Sequence, residues 1–282
     1  MTNPKIPIKL AHSPDPDDAF MFWALAKDKF DYSPYQFTHI LSDIQTLNEK
    51  AEKGEYEITA ISFYAYPFLA DKYALLPSGS SMGDNYGPMV VCKQDNLSKK
   101  LSEMKIAIPG KKTSAYLALQ LFEPNLKPEN ISVEVFDEIP RLVAEGKYDA
   151  GLLIHEGQLT YQKEGLKLFV DLGKWWFEKH NLPLPLGGNV VRRDLGEKVM
   201  KDLSRILKQS IQMSLDNRKE AVAYALQFGR GLDMDLADQF IGMYVNELTV
   251  DYGERGRKAL KVFFDEATER KLIPPIELKF VD

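Results

Sequence analysis

The chain has 282 residues, of which 44 % are apolar and 27 % charged, enough for one large or two medium globular domains with a substantial core. Its formal net charge of −5 and the absence of a basic, aromatic-rich patch argue against a nucleic-acid partner, and no apolar stretch has the length needed to span a bilayer. The single cysteine, Cys92, excludes an internal disulfide and a cysteine-based zinc cage, and the N-terminus has no secretory signal, so we expect a cytoplasmic protein.

Apolar runs bounded by turn residues predict strands that alternate with helices from the N-terminus to about residue 155. The predicted strands are 6–11, 58–63, 89–93, 105–108, 133–136 and 150–154, and the predicted helices between them are 14–27, 43–53, 113–122 and 139–145. From residue 194 onward the periodicity predicts helices at 195–215, 219–228, 235–244 and 254–271, with no convincing strand before Ile276. This order predicts an α/β protein with a mostly parallel sheet.

Two segments about ninety residues apart resemble each other. Residues 51–63 and 143–155 both contain a helix end, a glycine, a tyrosine, an acidic residue and then a strand. Any two βα units share some of this pattern, but the spacing favours two similar lobes. In that case Ser62 and His155 lie at equivalent strand ends, and both could face one cleft.

His155 has the most informative context of the four histidines. A buried apolar strand ends in the polar residues His155, Glu156, Gly157 and Gln158. Ligand chemistry in α/β proteins is found at the carboxyl ends of strands, and imidazole exchanges protons near neutral pH. The alternative is a histidine that caps or borders the core.

Other residues could bind a ligand or could have a purely structural role. Thr113 or Ser114 is a plausible N-cap after a strand, and the free amides of such a helix start favour a carboxylate or phosphate. His12, at the end of the first strand, could face the same cleft. The acidic residues in 13–18 compensate the dipole of the helix that they begin, and the loop does not resemble an EF-hand.

Several segments together resemble the 1,4-dihydroxy-6-naphthoate synthase family of the futalosine route to menaquinone. They are residues 13–20, 59–62, 86–88, 152–158 and 183–188, and the resemblance covers nearly the whole chain. It implies an α/β, two-lobe, type II periplasmic-binding-protein-like fold with a cleft between the lobes. The chain would cross near Val90 and Gly188, with lobe 1 formed by 1–90 and 189–282, including the C-terminal helices, and lobe 2 by 91–188.

The resemblance also implies the chemistry. The family substrate is cyclic dehypoxanthine futalosine, a small-molecule carboxylate, and His155 would be the base that removes a proton from it. The residues implied to bind substrate are Ala60, Ile61, Ser62, Thr113 and Ser114, and further candidates for the cleft are His12, Asp17 and Asn189. The resemblance implies no metal and no organic cofactor, the composition predicts no nucleic-acid or membrane partner, and the sequence leaves a homodimer open. The alternatives are chorismate dehydratase of the same pathway and a non-catalytic cytoplasmic solute-binding or sensor protein.

Overall fold

The computed structural model describes residues 5–229 and 233–281. Within these residues the chain divides into two compact units. The first contains the described parts of Met1–Ser81, Gly187–Glu254 and Ile276–Asp282, and the second contains Met82–Leu186 and Arg255–Pro275. The predicted first lobe also includes residues 1–4, 230–232 and 282, which lie outside the described residues.

Strands and helices alternate through the first two thirds of the chain, and helices follow. The strands are β1 Ile6–His12, β2 Tyr35–Leu41, β3 Ile58–Ser62, β4 Tyr73–Leu75, β5 Ser81–Gly83, β6 Met89–Cys92, β7 Ile106–Ile108, β8 Ile131–Val133, β9 Ala150–Leu153, β10 Lys167–Asp171 and β11 Leu184–Arg192. The helices are α1 Pro16–Met21, α2 Trp23–Ala26, α3 Ile44–Glu52, α4 Ser114–Phe122, α5 Ile139–Ala144, α6 Gly157–Thr160, α7 Leu172–His180, α8 Glu197–Asp216, α9 Arg218–Ala225, α10 Met234–Tyr244, α11 Glu247–Val250 and α12 Gly253–Glu269. Short 3-10 turns such as Phe63–Phe68 lie between them.

The sheet of the first unit has the strand order β2-β1-β3-β11-β4. Helix α8 covers part of it because its apolar residues recur every three or four positions and so share one face. The buried residues of that face are Leu203, Ile206, Leu207, Ser210, Ile211 and Ser214. They join a core with α1, α2, α9 and the buried side of β1.

The sheet of the second unit has the strand order β10-β6-β9-β7-β8. Its core joins Val91 and Ala107 of the sheet to Ile139 and Val143 of α5. Gly151 in β9 makes this packing possible, because a Cβ at that position would lie 2.5 Å from the Ile139 Cγ2 atom. The α/β class is therefore confirmed in both units.

Both sheets are mixed, so the predicted mostly parallel arrangement was wrong. Strands β1, β2 and β3 pair in parallel, as do β7, β8 and β9, but β11 runs antiparallel to β3 and β4. In the second sheet β6 is antiparallel to both β9 and β10. Strand β6 begins soon after the chain enters the second unit, and β11 contains the point of return. Neither is reached through a right-handed βαβ crossover, which is the connection that makes neighbouring strands parallel.

Helix α12 packs in the second unit, whereas the sequence interpretation placed all C-terminal helices in lobe 1. The Phe263 ring contacts the Trp176 ring of α7 edge-on, with ring centroids 5.4 Å apart. Glu266 forms an ion pair with Lys179 at 2.8 Å, and its Oε1 lies 2.9 Å from Nε2 of His180. The periodicity of α12 identifies an apolar face but not the surface that covers it, which explains the wrong assignment.

Two local predictions also need correction. The predicted strand 133–136 is β8, Ile131–Val133, so Phe136 lies beyond the strand and its carbonyl is available to a side chain. The predicted helix 14–27 is two short helices, because Phe22 departs from helical geometry with φ −102° and ψ 7°. The other predicted elements agree with the structure to within a few residues.

No helix among the described residues is long and apolar enough to cross a membrane.

Candidate active site

His155 lies just after β9 in the second unit, where the sequence placed it. Its side chain is almost fully buried, and its ring contacts the Phe136 ring edge-on, with centroids 5.0 Å apart. The strand ends at Leu153 because the polar residues that follow leave the sheet and begin the short helix α6.

Both ring nitrogens of His155 form hydrogen bonds to the backbone. The Gly157 N–H donates to Nδ1 at 2.9 Å, and Nε2 lies 2.8 Å from the Phe136 carbonyl oxygen. A backbone N–H can only donate and a carbonyl can only accept, so Nδ1 carries the lone pair and Nε2 carries the hydrogen. The structure thus fixes one neutral tautomer, in which Nδ1 is the nitrogen that can accept a proton.

Gly157 is required for this position of the ring. A Cβ on Gly157 would lie 2.7 Å from Cε1 of His155 and 3.1 Å from its Nδ1. Real Cβ contacts are not that short, so any side chain at 157 would displace the imidazole. The glycine in the sequence motif therefore has a steric role that the sequence alone did not reveal.

Thr113 and Ser114 are also buried in the second unit, at the start of α4. Thr113 is the N-cap predicted from the sequence, and its Oγ1 accepts from the Tyr116 N–H at 3.3 Å. The same hydroxyl donates to the Gly110 carbonyl at 2.9 Å, so its one donor hydrogen is used within the protein. An anion at this helix start would therefore be bound by the backbone amides of the first turn rather than by the Thr113 hydroxyl.

Ser62 lies at the end of β3 in the first unit and is buried. Asn48 of α3, which the sequence interpretation missed, fixes this residue. Its Oδ1 accepts from the Ser62 N–H at 2.9 Å, and its Nδ2 donates to Ser62 Oγ at 3.1 Å. Asn48 lies on the buried side of a helix beside Leu47 and Ala51, and an amide on an apolar face is the signal that could have identified it.

Ala60 and Ile61 precede Ser62 in β3, and both side chains are buried. Ala60 packs with Ala11, Leu47 and Tyr56 in an apolar cluster. Their side chains therefore belong to the core of the first unit, and a ligand at this strand end would contact them through the backbone.

Strand β11, which pairs with β3, has two glycines beside the end of β3. Gly187 of β11 pairs with Ser62, and Gly188 pairs with Ile61. A Cβ on Gly188 would lie 2.4 Å from the Tyr252 hydroxyl and 2.9 Å from the Phe63 ring. Gly188 thus allows two buried aromatic side chains to pack against the strand.

His12 is buried beside Phe22 and His39 in the first unit. Its Nδ1 donates to the Ser13 carbonyl at 2.8 Å, so its Nε2, 3.1 Å from His39 Nδ1, must accept. Burial and the neighbouring His39 lower the pKa of His12 to about 3, and burial also lowers the pKa of His39. Both imidazoles are therefore neutral at physiological pH, and this arrangement favours the structural interpretation of His12.

Asp17 and Asp18 lie in the first turn of α1, half-buried, near Asp15. Burial and the charge of Asp18 raise the pKa of Asp17, and burial raises the pKa of Asp18 to about 7. Asp18 Oδ2 accepts from the Ser13 N–H at 2.7 Å, which fixes the loop before the helix. Within residues 5–229 and 233–281, no three His, Cys, Asp or Glu side chains are arranged to hold a metal ion.

Asn189 is buried in β11, opposite Ala60. Its Nδ2 donates to the Gly79 carbonyl at 3.2 Å, while its Oδ1 has no hydrogen-bond partner among the described residues. Gly79 has φ +81°, and a Cβ there would lie 2.1 Å from Asn189 Nδ2. Asn189 thus fixes a left-handed turn in the first unit.

The two mixed sheets with their flanking helices define the class of protein. A solved structure from Candida albicans, described as exhibiting the generic periplasmic binding protein structural fold, is similar with a TM-score of 0.66 at 13 % identity, over 98 % of each chain. At this identity the similarity shows the fold alone. The fold class expected from the sequence, α/β and periplasmic-binding-protein-like, is therefore confirmed.

More similar proteins identify the family. A crystal structure of a protein from Archaeoglobus fulgidus has a TM-score of 0.88 at 44 % identity and covers 95 % of this chain and 98 % of that chain. The family model described as menaquinone biosynthesis matches residues 8–269. A relative from Thermus thermophilus named 1,4-dihydroxy-6-naphthoate synthase is 36 % identical over 268 residues, which are 95 % of this chain and 96 % of the relative. The chain belongs to the menaquinone biosynthesis family, as the sequence motifs predicted.

Proposed function

We propose that this protein is a carbon–carbon lyase that forms 1,4-dihydroxy-6-naphthoate from cyclic dehypoxanthine futalosine. The observation that carries the proposal is the buried His155, held as one neutral tautomer with its lone pair on Nδ1. Membership in the menaquinone biosynthesis family and the name of the Thermus thermophilus relative support the choice of reaction.

In the proposed reaction His155 acts as a general base. It removes a proton from the cyclic substrate, the electron pair of the broken C–H bond drives cleavage of a C–C bond, and the sugar-derived part of the substrate leaves. Aromatisation of the product ring favours the forward direction. Because the Gly157 N–H occupies Nδ1 in the free protein, the substrate must replace that hydrogen bond before the proton can move. A burial this complete also excludes water, which would otherwise compete for the proton.

The substrate carboxylate needs hydrogen-bond donors. We propose that the first turn of α4, at Thr113 and Ser114, supplies backbone amides and the favourable end of the helix dipole. Ser62 is proposed as a further contact, since it lies at the end of β3 and Asn48 holds its backbone N–H and its Oγ in place. Ala60 and Ile61 would contact the substrate through their backbone atoms rather than their side chains.

The test uses purified wild-type protein and His155→Gln with two substrates supplied separately, cyclic dehypoxanthine futalosine and chorismate. The wild type is expected to release the naphthoate chromophore from the cyclic substrate and to leave chorismate unchanged, and His155→Gln is expected to lose at least 100-fold in kcat. His180→Gln is a matched control in the same unit, outside the proposed site. Conversion of chorismate would favour the dehydratase, and binding without turnover of either compound would favour a sensor.

A further inference from the structure

We propose that Glu156 is a positioning residue that receives the Nδ1–H of His155 once the imidazole has taken its proton. This inference rests on the proposed function, because it assigns a partner to the proposed base. Glu156 immediately follows His155 and its side chain is buried. Its Oε2 lies 3.7 Å from Nδ1 of His155.

The environment of the Glu156 Oε2 atom also points to this role. The atom is shut off from solvent and has no hydrogen-bond partner among the described residues. Among the described residues, no Lys or Arg lies within ion-pair distance of Glu156, and His155 is the one basic residue near its carboxylate. A buried carboxylate oxygen without a donor is unfavourable, and a proton gained by the neighbouring imidazole would supply that donor.

Nδ1 is the atom that can supply that proton. Nε2 already donates to the Phe136 carbonyl at 2.8 Å and keeps this partner in both protonation states. In the neutral ring Nδ1 accepts from the Gly157 N–H, but a protonated Nδ1 would place two N–H groups against each other. The charged ring must therefore turn away from Gly157, and a movement of roughly 1 Å brings Nδ1–H within hydrogen-bond distance of Glu156 Oε2.

The proton balance of the step is simple. The substrate proton passes to Nδ1, and the electron pair of the broken C–H bond stays with the substrate, where it drives the C–C cleavage. Oε2 of Glu156 has no donor among the described residues before the transfer and gains one after it, so the contact is stronger in the transition state than in the ground state. An interaction of that kind raises kcat and leaves KM nearly unchanged.

Kinetics of Glu156→Gln test this role, with Glu164→Gln as the matched control on an exposed residue of the same unit. We expect kcat of Glu156→Gln to fall 10- to 100-fold with KM within about threefold, while the melting temperature stays equal or rises because a buried unpaired charge is removed. A purely structural glutamate would lower the melting temperature and kcat together. Wild-type kcat in Glu156→Gln would overturn the proposal.

A second measurement is independent of turnover. In a histidine-selective ¹⁵N NMR spectrum at acidic pH, the wild type should show a downfield, hydrogen-bonded Nδ1–H from His155, and Glu156→Gln should lack it. Identical spectra for the two proteins would refute the pairing even if the wild type were inactive on both substrates. An inactive wild type that keeps the downfield signal would refute the proposed reaction instead.

Discussion

Gly157→Ala tests the position of His155 most directly. The added Cβ would lie 2.7 Å from Cε1 and 3.1 Å from Nδ1, well inside normal contact distance. Gly157 does not have a positive φ, so alanine fits its backbone and the effect comes from the contact alone. The ring must move, which breaks the Gly157 N–H to Nδ1 hydrogen bond and lengthens the bond from Nε2 to Phe136.

The cost can be estimated from these bonds. Losing one buried hydrogen bond and leaving its partner unsatisfied costs about 1–3 kcal/mol, and the higher helix propensity of alanine recovers up to about 1 kcal/mol. A net loss of about 1–2 kcal/mol corresponds to a melting temperature lower by roughly 3–6 °C for a chain of this size. If His155 is the base, kcat falls by more than about tenfold, because misplaced groups lose alignment with the substrate.

The assay measures the melting temperature and the release of naphthoate from the cyclic substrate. Gly165→Ala is the matched control: it lies in the same unit with φ +73°, and a Cβ there would meet nothing within 4 Å. It should lose about 1 kcal/mol through backbone strain and keep its kcat. If Gly157→Ala kept both the stability and the kcat of the wild type, His155 would not occupy the described position.

Three further predictions concern stability. Asn48→Ala removes both hydrogen bonds to Ser62 and should lower the free energy of unfolding by about 2–4 kcal/mol in chemical denaturation, with Asn125→Ala, on an exposed residue, unchanged. The native state holds a proton on Asp18 up to its raised pKa of about 7, whereas the unfolded chain releases it near 3.8, so this group lowers stability as pH rises through that window. The melting temperature of Asp18→Asn relative to wild type should therefore increase from pH 4 to pH 8, and a constant difference would contradict the raised pKa. Phe263→Ala empties a buried position against Trp176 and should destabilise the second unit by about 3–5 kcal/mol, which calorimetry would detect.

Some details of the candidate site depended on interactions between residues distant in the chain. Sequence spacing indicated that His155 follows a buried strand, but not that the Phe136 carbonyl would fix its tautomer, since 136 was predicted to lie within a strand. Asn48 is separated from Ser62 by 14 residues, and only the packing of α3 on β3 brings them into contact. The steric role of Gly157 likewise depends on the side-chain direction of His155.

The amino-acid sequence by itself determined the strands β1, β3, β6, β7 and β9 and most of the longer helices, the α/β class, the family and the segments of the candidate site. These follow from hydrophobic periodicity, turn residues and motifs, which depend on neighbours along the chain. Only the tertiary structure decided that both sheets are mixed, that α12 packs on α7, and that Glu156 Oε2 lies buried near Nδ1 of His155 with no donor from the described residues. Strand direction, the surface that covers an apolar face and the partners of a buried polar atom all depend on contacts between distant segments, and no local pattern specifies them.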